Sequence, residues 1–169
     1  MRLSTKGRYA VMAMVDLAFH SDGRPVALSE IAFRQEISLS YLEQLFAKLR
    51  RGGLVRSIRG PGGGYLLSRG TVDTRIADII LAVDEPLRAT RCPPGTGTGC
   101  MGDKSRCLTH DLWEELGNQI HRYLSSVSLA DVCDKRVLAA SPGAQAPSDR
   151  RAGGPTEKAE SPIASLAAQ

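Results

Sequence analysis

The chain has 169 residues, 42% of them hydrophobic, which is enough for one folded domain plus an appendage, and it contains no run of about 18 apolar residues. Residues 1–70 carry 11 of the 22 basic and 5 of the 18 acidic residues, a net charge of +6, and the remaining 11 basic and 13 acidic residues give −2. The lack of a long apolar run argues against a membrane span, and without a signal-peptide core at the start we expect a cytoplasmic protein. The basic first half suggests a nucleic-acid-binding module.

The first 70 residues predict three helices followed by a hairpin. Apolar residues at helical spacing predict helices over about residues 4–20, 28–35 and 38–51, with Ser4 as the N-cap of the first. Two strand-like runs, 54–58 and 64–67, flank a glycine-rich tip whose glycines permit a positive φ. Helix, turn, helix and hairpin in this order predict a winged helix-turn-helix, and Glu36 occupies the turn position where glycine is common.

The second half predicts two helices separated by a loop. A fourth helix spans about residues 75–83 with Thr74 as a candidate cap, and a fifth spans about 108–127 with apolar residues along one side. Residues 84–107 are rich in Gly, Pro and Cys, and the end of the chain reads as a disordered tail. We therefore predict a mainly α protein with a small β-hairpin wing, divided into residues 1–83, 84–107, 108–135 and 136–169.

The third helix and the hairpin carry the predicted DNA contacts. The face opposite the apolar residues of the third helix presents small, amide and acidic side chains, which suit base edges in the major groove, and a slim basic hairpin tip suits the backbone and minor groove. Ser40 and Glu43 also match a capping box, so they alternatively close the helix. The predicted DNA-binding residues are Ser38, Ser40, Tyr41, Glu43, Gln44, Lys48, Arg50, Arg51, Arg59, Gly60, Pro61, Gly62, Arg2 and Lys6.

Three cysteines and a histidine have the spacing of a metal site. Cys92, Cys100, Cys107 and His110 follow one another across the loop, and Cys107 and His110 share a turn at the start of the fifth helix. Three thiolates and an imidazole bind zinc or an iron–sulfur cluster, and the spacing alone does not choose between them. Cys133 stands apart and reads as a partly buried apolar residue.

Seven sequence motifs in this chain carry a resemblance to one known family. They are Met1-Arg2-Leu3, Lys6-Gly7-Arg8-Tyr9-Ala10-Val11, Ile37-Ser38-Leu39-Ser40-Tyr41-Leu42-Glu43-Gln44-Leu45-Phe46, Arg59-Gly60-Pro61-Gly62-Gly63-Gly64-Tyr65-Leu66-Leu67, Ala82-Val83-Asp84-Glu85, Thr90-Arg91-Cys92 and Cys107-Leu108-Thr109-His110. On these motifs the chain resembles the IscR family of bacterial iron–sulfur cluster assembly regulators over roughly residues 1–135. The resemblance implies a homodimeric winged helix-turn-helix regulator that holds a 2Fe–2S cluster on Cys92, Cys100, Cys107 and His110. On this interpretation residues 1–83 are the DNA-binding domain, 84–107 the cluster-binding loop, 108–135 the dimerisation helix region and 136–169 a disordered tail.

The function that this resemblance implies is a cluster-sensing regulator, mainly a repressor and sometimes an activator, of iron–sulfur cluster biogenesis genes. Its partners would be double-stranded operator DNA, a second copy of the chain, and the iron–sulfur assembly machinery as cluster donor. Two alternatives stay open: a zinc-stapled structural DNA-binding protein, and a nitric-oxide or redox sensor, which His110 disfavours. No nucleophile–base pair or cofactor fingerprint points to an enzyme.

Overall fold

The computed structural model describes residues 4–87, 99–101, 103 and 105–137. Within these residues the elements are six helices and one hairpin. Their bounds are α1 Thr5–His20, α2 Leu28–Gln35, α3 Leu39–Arg51, β1 Val55–Ile58, β2 Gly64–Leu67, α4 Ile76–Ala82, α5 His110–Ser126 and α6 Leu129–Cys133. The prediction of a mainly helical fold with one hairpin is confirmed, with each predicted helix boundary within two residues.

The first three helices and α4 enclose one hydrophobic core. The apolar side of α3, formed by Leu42, Leu45, Phe46 and Leu49, is buried as its periodicity predicts. Contacts from α1 reach α2, α3, α4 and α6, so α1 is the central element of the core. The outer side of α3 is therefore left to solvent.

The hairpin pairs in antiparallel register and is joined to the start of α2. Val55 lies opposite Leu67 and Ile58 opposite Gly64, while Val26 forms a bridge with Tyr65 through two backbone hydrogen bonds of 3.0 and 2.8 Å. A Cβ on Gly64 would lie 2.3 Å from the Val26 carbonyl oxygen, so this position needs glycine. The strands thus lie in fixed register beside the helix-turn-helix.

Local backbone chemistry confirms some predicted caps and corrects others. Ser4 caps α1 by accepting a hydrogen bond from the Lys6 N–H, and Glu36 is left-handed with a φ of 54°. The proposed capping box of Ser40 and Glu43 is wrong, because α3 begins after Ser38 and Ser40 lies within its first turn.

The assignment of Thr74 as a helix cap is also wrong. Arg75 holds the N-cap position of α4 without a side-chain bond, while the buried Thr74 hydroxyl donates to the Gly70 carbonyl. Thr74 therefore stabilises the turn before the helix and leaves the helix end itself uncapped.

The short helix α6 was not predicted, although its capping signal is present in the sequence. Ser128 and Asp131 form a reciprocal capping box, and the buried Leu129 packs into the main core. Backbone bonds from Ile76 to Val127 (3.0 Å) and from Leu129 to Thr74 (2.8 Å) tie this region to α4. The end of α5 is thereby fixed to α4.

Among the helices that the structure describes, none is long and apolar enough to cross a membrane.

Candidate nucleic-acid interface and metal centre

The outer side of α3 is exposed along its first two turns. Ser38, Ser40, Glu43 and Gln44 are all solvent-exposed, directly opposite the buried leucines of the same helix. Small and amide side chains at the open start of a helix are suited to hydrogen bonding with base edges in the major groove. The geometry therefore leaves these four side chains available to DNA.

Tyr41 differs from its neighbours on α3 because it is half-buried. Its ring meets that of Tyr9 edge-on, with the centroids 6.1 Å apart, and packs against the core. The hydroxyl is the polar part of a side chain whose ring is otherwise used for packing. Tyr41 thus joins α3 to α1.

The tip of the β1–β2 hairpin, here called the wing, carries a basic residue and little side-chain bulk. Arg59, Gly60, Pro61 and Gly62 are exposed, and Gly60 and Gly62 have φ values of 103° and 72°, as the turn chemistry predicts. At the other end of α3, Arg50 Nη1 lies 3.5 Å from Ser57 Oγ on β1. The basic end of α3 therefore adjoins the wing.

An acidic corner formed by Asp84 and Glu85 contacts the predicted phosphate-binding lysines. Lys48 Nζ lies 2.8 Å from Asp84 Oδ2, and Lys6 Nζ donates to the Asp84 carbonyl oxygen at 3.2 Å. The hydrogen bond and charge of Lys48 hold the pKa of Asp84 below its ordinary value. Glu85 accepts hydrogen bonds from the Ser4 N–H and hydroxyl. The sequence reasoning did not identify this corner, because nothing in the local pattern marks contacts between residues that lie from 36 to 81 positions apart.

A buried carboxylate connects α1 to the helix-turn-helix. Asp16 accepts hydrogen bonds from Arg34 Nε at 3.1 Å and Nη2 at 2.7 Å, and from Gln35 Nε2 at 2.7 Å. Burial alone would raise the pKa of Asp16, but these hydrogen bonds and the Arg34 charge outweigh it and lower the pKa. Asp16 therefore anchors the last turn of α2, just before Glu36.

Of the predicted metal ligands within the described residues, the structure brings Cys100 and His110 together at the start of α5, and it does not group the Cys107 sulfur with them. Cys100 Sγ lies 2.9 Å from His110 Nδ1, and the His110 side chain is 8% exposed. Cys107 is half-buried, its sulfur 3.7 Å from Thr109 Oγ1, and its carbonyl accepts from the His110 N–H. Cys92 and Arg2 lie outside the described residues. A thiol and an imidazole are thus adjacent in a site whose donor chemistry fits zinc or a 2Fe–2S cluster.

The remaining cysteine is not part of this group. Cys133 is half-buried at the end of α6 and packs against the main core, and burial raises the pKa of its thiol. The prediction of a partly buried apolar role is confirmed.

Helix α5 carries an apolar side that the described residues do not cover. Large apolar side chains remain well exposed along it, and only His110 and Gly117 of the helix are buried. An apolar surface of this kind on a helix marks an interaction site. These exposed residues, here called the α5 stripe, are Leu112, Trp113, Leu116 and Tyr123.

Curated relatives match the chain over most of its length. It is 51% identical over 152 residues to the HTH-type transcriptional regulator IscR of Photorhabdus laumondii, covering 90% of this chain and 91% of the relative. It is 58% identical over 132 residues to a protein of Azotobacter vinelandii named as the putative HTH-type transcriptional regulator ORF2, covering 78% and 79%. These relatives are regulators with no enzymatic activity in their names.

Solved structures and a family model lead to the same conclusion. IscR of T. potens is 38% identical with a TM-score of 0.65, covering 85% of this chain and 93% of that one. CymR, the global cysteine regulator of B. subtilis, is 31% identical with a TM-score of 0.66, covering 80% and 98%. The family model Rrf2, described as an iron-dependent transcriptional regulator, matches residues 3–135. The chain belongs to the Rrf2 family and is a DNA-binding transcriptional regulator of the IscR type.

Proposed function

We propose that the chain is a 2Fe–2S-sensing regulator, mainly a repressor, of iron–sulfur cluster biogenesis genes, and that it binds operator DNA as a homodimer. The observation that carries the metal part is the 2.9 Å approach of Cys100 Sγ to His110 Nδ1 at the base of α5. Thiolate with imidazole is a metal-binding pair. Cys92 and Cys107 complete the proposed ligand set.

A 2Fe–2S cluster, when bound, supplies a redox-active and labile group whose presence reports the supply of iron and sulfide. The chain's own part is to hold that group with three cysteines and one histidine. Imidazole competes with protons for the metal near neutral pH and is lost more readily than a thiolate. The iron–sulfur assembly machinery is the proposed donor.

The proposed DNA contacts divide into reading and anchoring groups. Ser40, Glu43 and Gln44 face outward from α3 and are proposed to read base edges, while the wing tip Arg59–Gly62 is proposed to contact backbone and minor groove. Phosphate contacts are assigned to the basic residues around these two elements. They are Arg2, Lys6, Lys48, Arg50 and Arg51.

The α5 stripe supports dimerisation. Its large apolar side chains are exposed on a helix of 17 residues, whose C-terminal end is fixed to the first domain. A second copy offers the same surface, and pairing of two such helices buries both. A dimer presents two α3 helices and two wings to two half-sites. We therefore propose α5 as the dimerisation helix.

The first experiment is anaerobic purification followed by visible absorption and analysis of iron, sulfide and zinc. The proposal expects near-equal iron and sulfide with sulfide-to-iron absorption, both lost in Cys92→Ala and His110→Ala. His121→Ala is the matched control, because His121 is exposed on the same helix and bonds only to Ser125 among the described residues. A colourless protein with about one zinc per chain would contradict the cluster and make the metal a structural staple.

A further inference from the structure

The two ring nitrogens of His110 face different partners. Nδ1 lies 2.9 Å from Cys100 Sγ, and Nε2 lies 3.6 Å from Glu114 Oε2, one turn further along α5. The imidazole is buried between them, with its side chain only 8% exposed. The ring therefore has a sulfur side and a carboxylate side.

A second charge lies near the carboxylate side. Arg106 Nη1 lies 3.9 Å from the same Oε2 of Glu114 and 3.4 Å from Asp111 Oδ1. Glu114 is partly exposed, and its Oε2 is the carboxylate oxygen that faces Nε2, at 3.6 Å just beyond direct hydrogen-bond distance. An arginine, a carboxylate and an imidazole thus form a chain that ends at the proposed metal ligand.

A neutral imidazole carries one N–H and one lone pair, so it offers only one nitrogen to a metal. The nitrogen that faces the cysteine sulfur is Nδ1, and the proton then resides on Nε2, which faces a carboxylate. Histidine ligands in proteins commonly donate the other N–H to a carboxylate, which fixes the tautomer and makes the ligand more basic.

We propose that His110 binds its metal through Nδ1 and that Glu114 is a positioning residue that accepts the Nε2–H. This inference rests on the proposed function for the metal site and deepens it. Glu114 raises the electron density on the imidazole, which favours the oxidised state of a bound cluster. Glu114 also lowers the freedom of the ring to turn, which strengthens metal binding by the chain.

The nitrogen assignment is tested with two samples of the cluster-loaded chain, one labelled with ¹⁵N at Nδ1 of histidine and one at Nε2. Pulsed EPR of the reduced cluster distinguishes a directly bound nitrogen, with strong hyperfine coupling, from the remote one. Strong coupling from the Nδ1 label is expected. Strong coupling from the Nε2 label would overturn the inference while leaving the cluster intact.

The role of Glu114 is tested by Glu114→Gln against Glu115→Gln. Glu115 is the next residue on α5 and bonds to Gln119 and Arg122, so its variant removes the same charge away from the imidazole. Glu114→Gln should move the midpoint potential of the cluster to a more positive value than Glu115→Gln does. It should also weaken Co²⁺ binding by the apo chain by about 10- to 100-fold, the usual loss for such a partner. Equal potentials and equal Co²⁺ affinities in the two variants would refute the positioning role.

Failure of the proposed function is recognised separately. A chain that contains no iron or sulfide contradicts the cluster, and the same two histidine labels are then measured in the Co²⁺-loaded chain. Direct coupling from Nδ1 there still supports the inference for a zinc-type site, and direct coupling from Nε2 overturns it.

Discussion

Asp16 and Arg34 join the central helix to the end of α2 through a pair of hydrogen bonds that places almost the whole Asp16 carboxylate out of water. The Asp16 side chain is 1% exposed, and Arg34 is 28% exposed. The contact lies at the last turn before the left-handed Glu36, where the chain changes direction into α3. The position of the last turn of α2 against α1 therefore involves a charge pair in addition to apolar packing.

Asp16→Ala should destabilise the fold, because it leaves Arg34 and Gln35 without their shared acceptor. We expect a loss at or below the low end of the roughly 3–5 kcal/mol seen when one partner of a buried pair is removed, since Arg34 is able to turn toward water. Urea unfolding followed by circular dichroism measures it. A loss equal to that of Asp22→Asn, an exposed control at the end of α1, would contradict this account.

The same carboxylate predicts an acid-side dependence of stability. Because the pKa of folded Asp16 lies below its usual value of 3.8, the extra stability is complete above pH 3.8 and is lost as the pH falls through the folded value. Thermal unfolding between pH 5 and pH 2 should therefore show a shallower decline for Asp16→Asn than for the parent. Parallel curves for the two proteins would show that Asp16 contributes nothing in this range.

Glu36→Gly should stabilise the protein by about 1 kcal/mol, because glycine adopts the left-handed conformation without the steric cost that a side chain brings. Glu36→Gln is the control, since it removes the charge and keeps the side chain. Thermal unfolding of the three proteins separates the effects. If Gln stabilises as much as Gly, charge and not backbone conformation is the cause.

Asp84→Asn should strengthen DNA binding several-fold at low salt. The change removes the carboxylate that pairs with Lys48, while the bond of Lys6 to the backbone carbonyl remains. Asparagine tolerates the positive φ of 57° at this position. The gain should shrink as salt is raised, because it is electrostatic. Fluorescence anisotropy with duplex DNA across a salt series measures both. Asp134→Asn, at the end of α6, serves as control because it removes one negative charge elsewhere. An equal gain in affinity for that variant would show that net charge, and not the contact with Lys48, causes the effect.

Gln44→Ala and Arg59→Ala should weaken DNA binding in different ways. Loss of Gln44 should relax discrimination at one base pair by roughly 1–3 kcal/mol, whereas loss of Arg59 should weaken binding to all sequences. Binding to an operator and to single-base variants of it distinguishes the two patterns. Arg122→Ala on α5 is the control, and operator binding by both test variants at the control's level would show that neither residue contacts DNA.

The parts of the structure that follow from local pattern were predictable. The buried side of α3 follows from leucine spacing, the hairpin from its glycine tip, and the left-handed turn at Glu36 from its place between two helices. The sequence predicted that Cys100 and His110 belong to the same metal site. The orientation of the His110 ring was not predictable, because periodicity does not show which ring nitrogen faces the Cys100 sulfur.

The contacts that sequence reasoning missed join residues distant in the chain. Asp84 pairs with Lys48 and Asp16 with Arg34, and neither acidic residue stands in a motif. An acidic residue outside any motif is normally interpreted as a solvent-exposed charge, because the sequence does not show which cation the fold places next to it. At Thr74 the sequence analysis instead predicted a contact that is absent. Threonine is favoured at helix N-caps, but this hydroxyl stabilises the turn before α4.

The hydrogen bonds of Val127 and Leu129 to the two ends of the Thr74–Ile76 segment have a further consequence for α5. They join the end of α5 directly to the start of α4, and Leu129 of α6 is buried in the core beside them. If two α5 helices pair as proposed, this junction also fixes the distance and angle between the two wings. Operators would then be selected by the separation of their halves as strictly as by their base sequence, and one extra base pair between the halves would cost binding to one whole half.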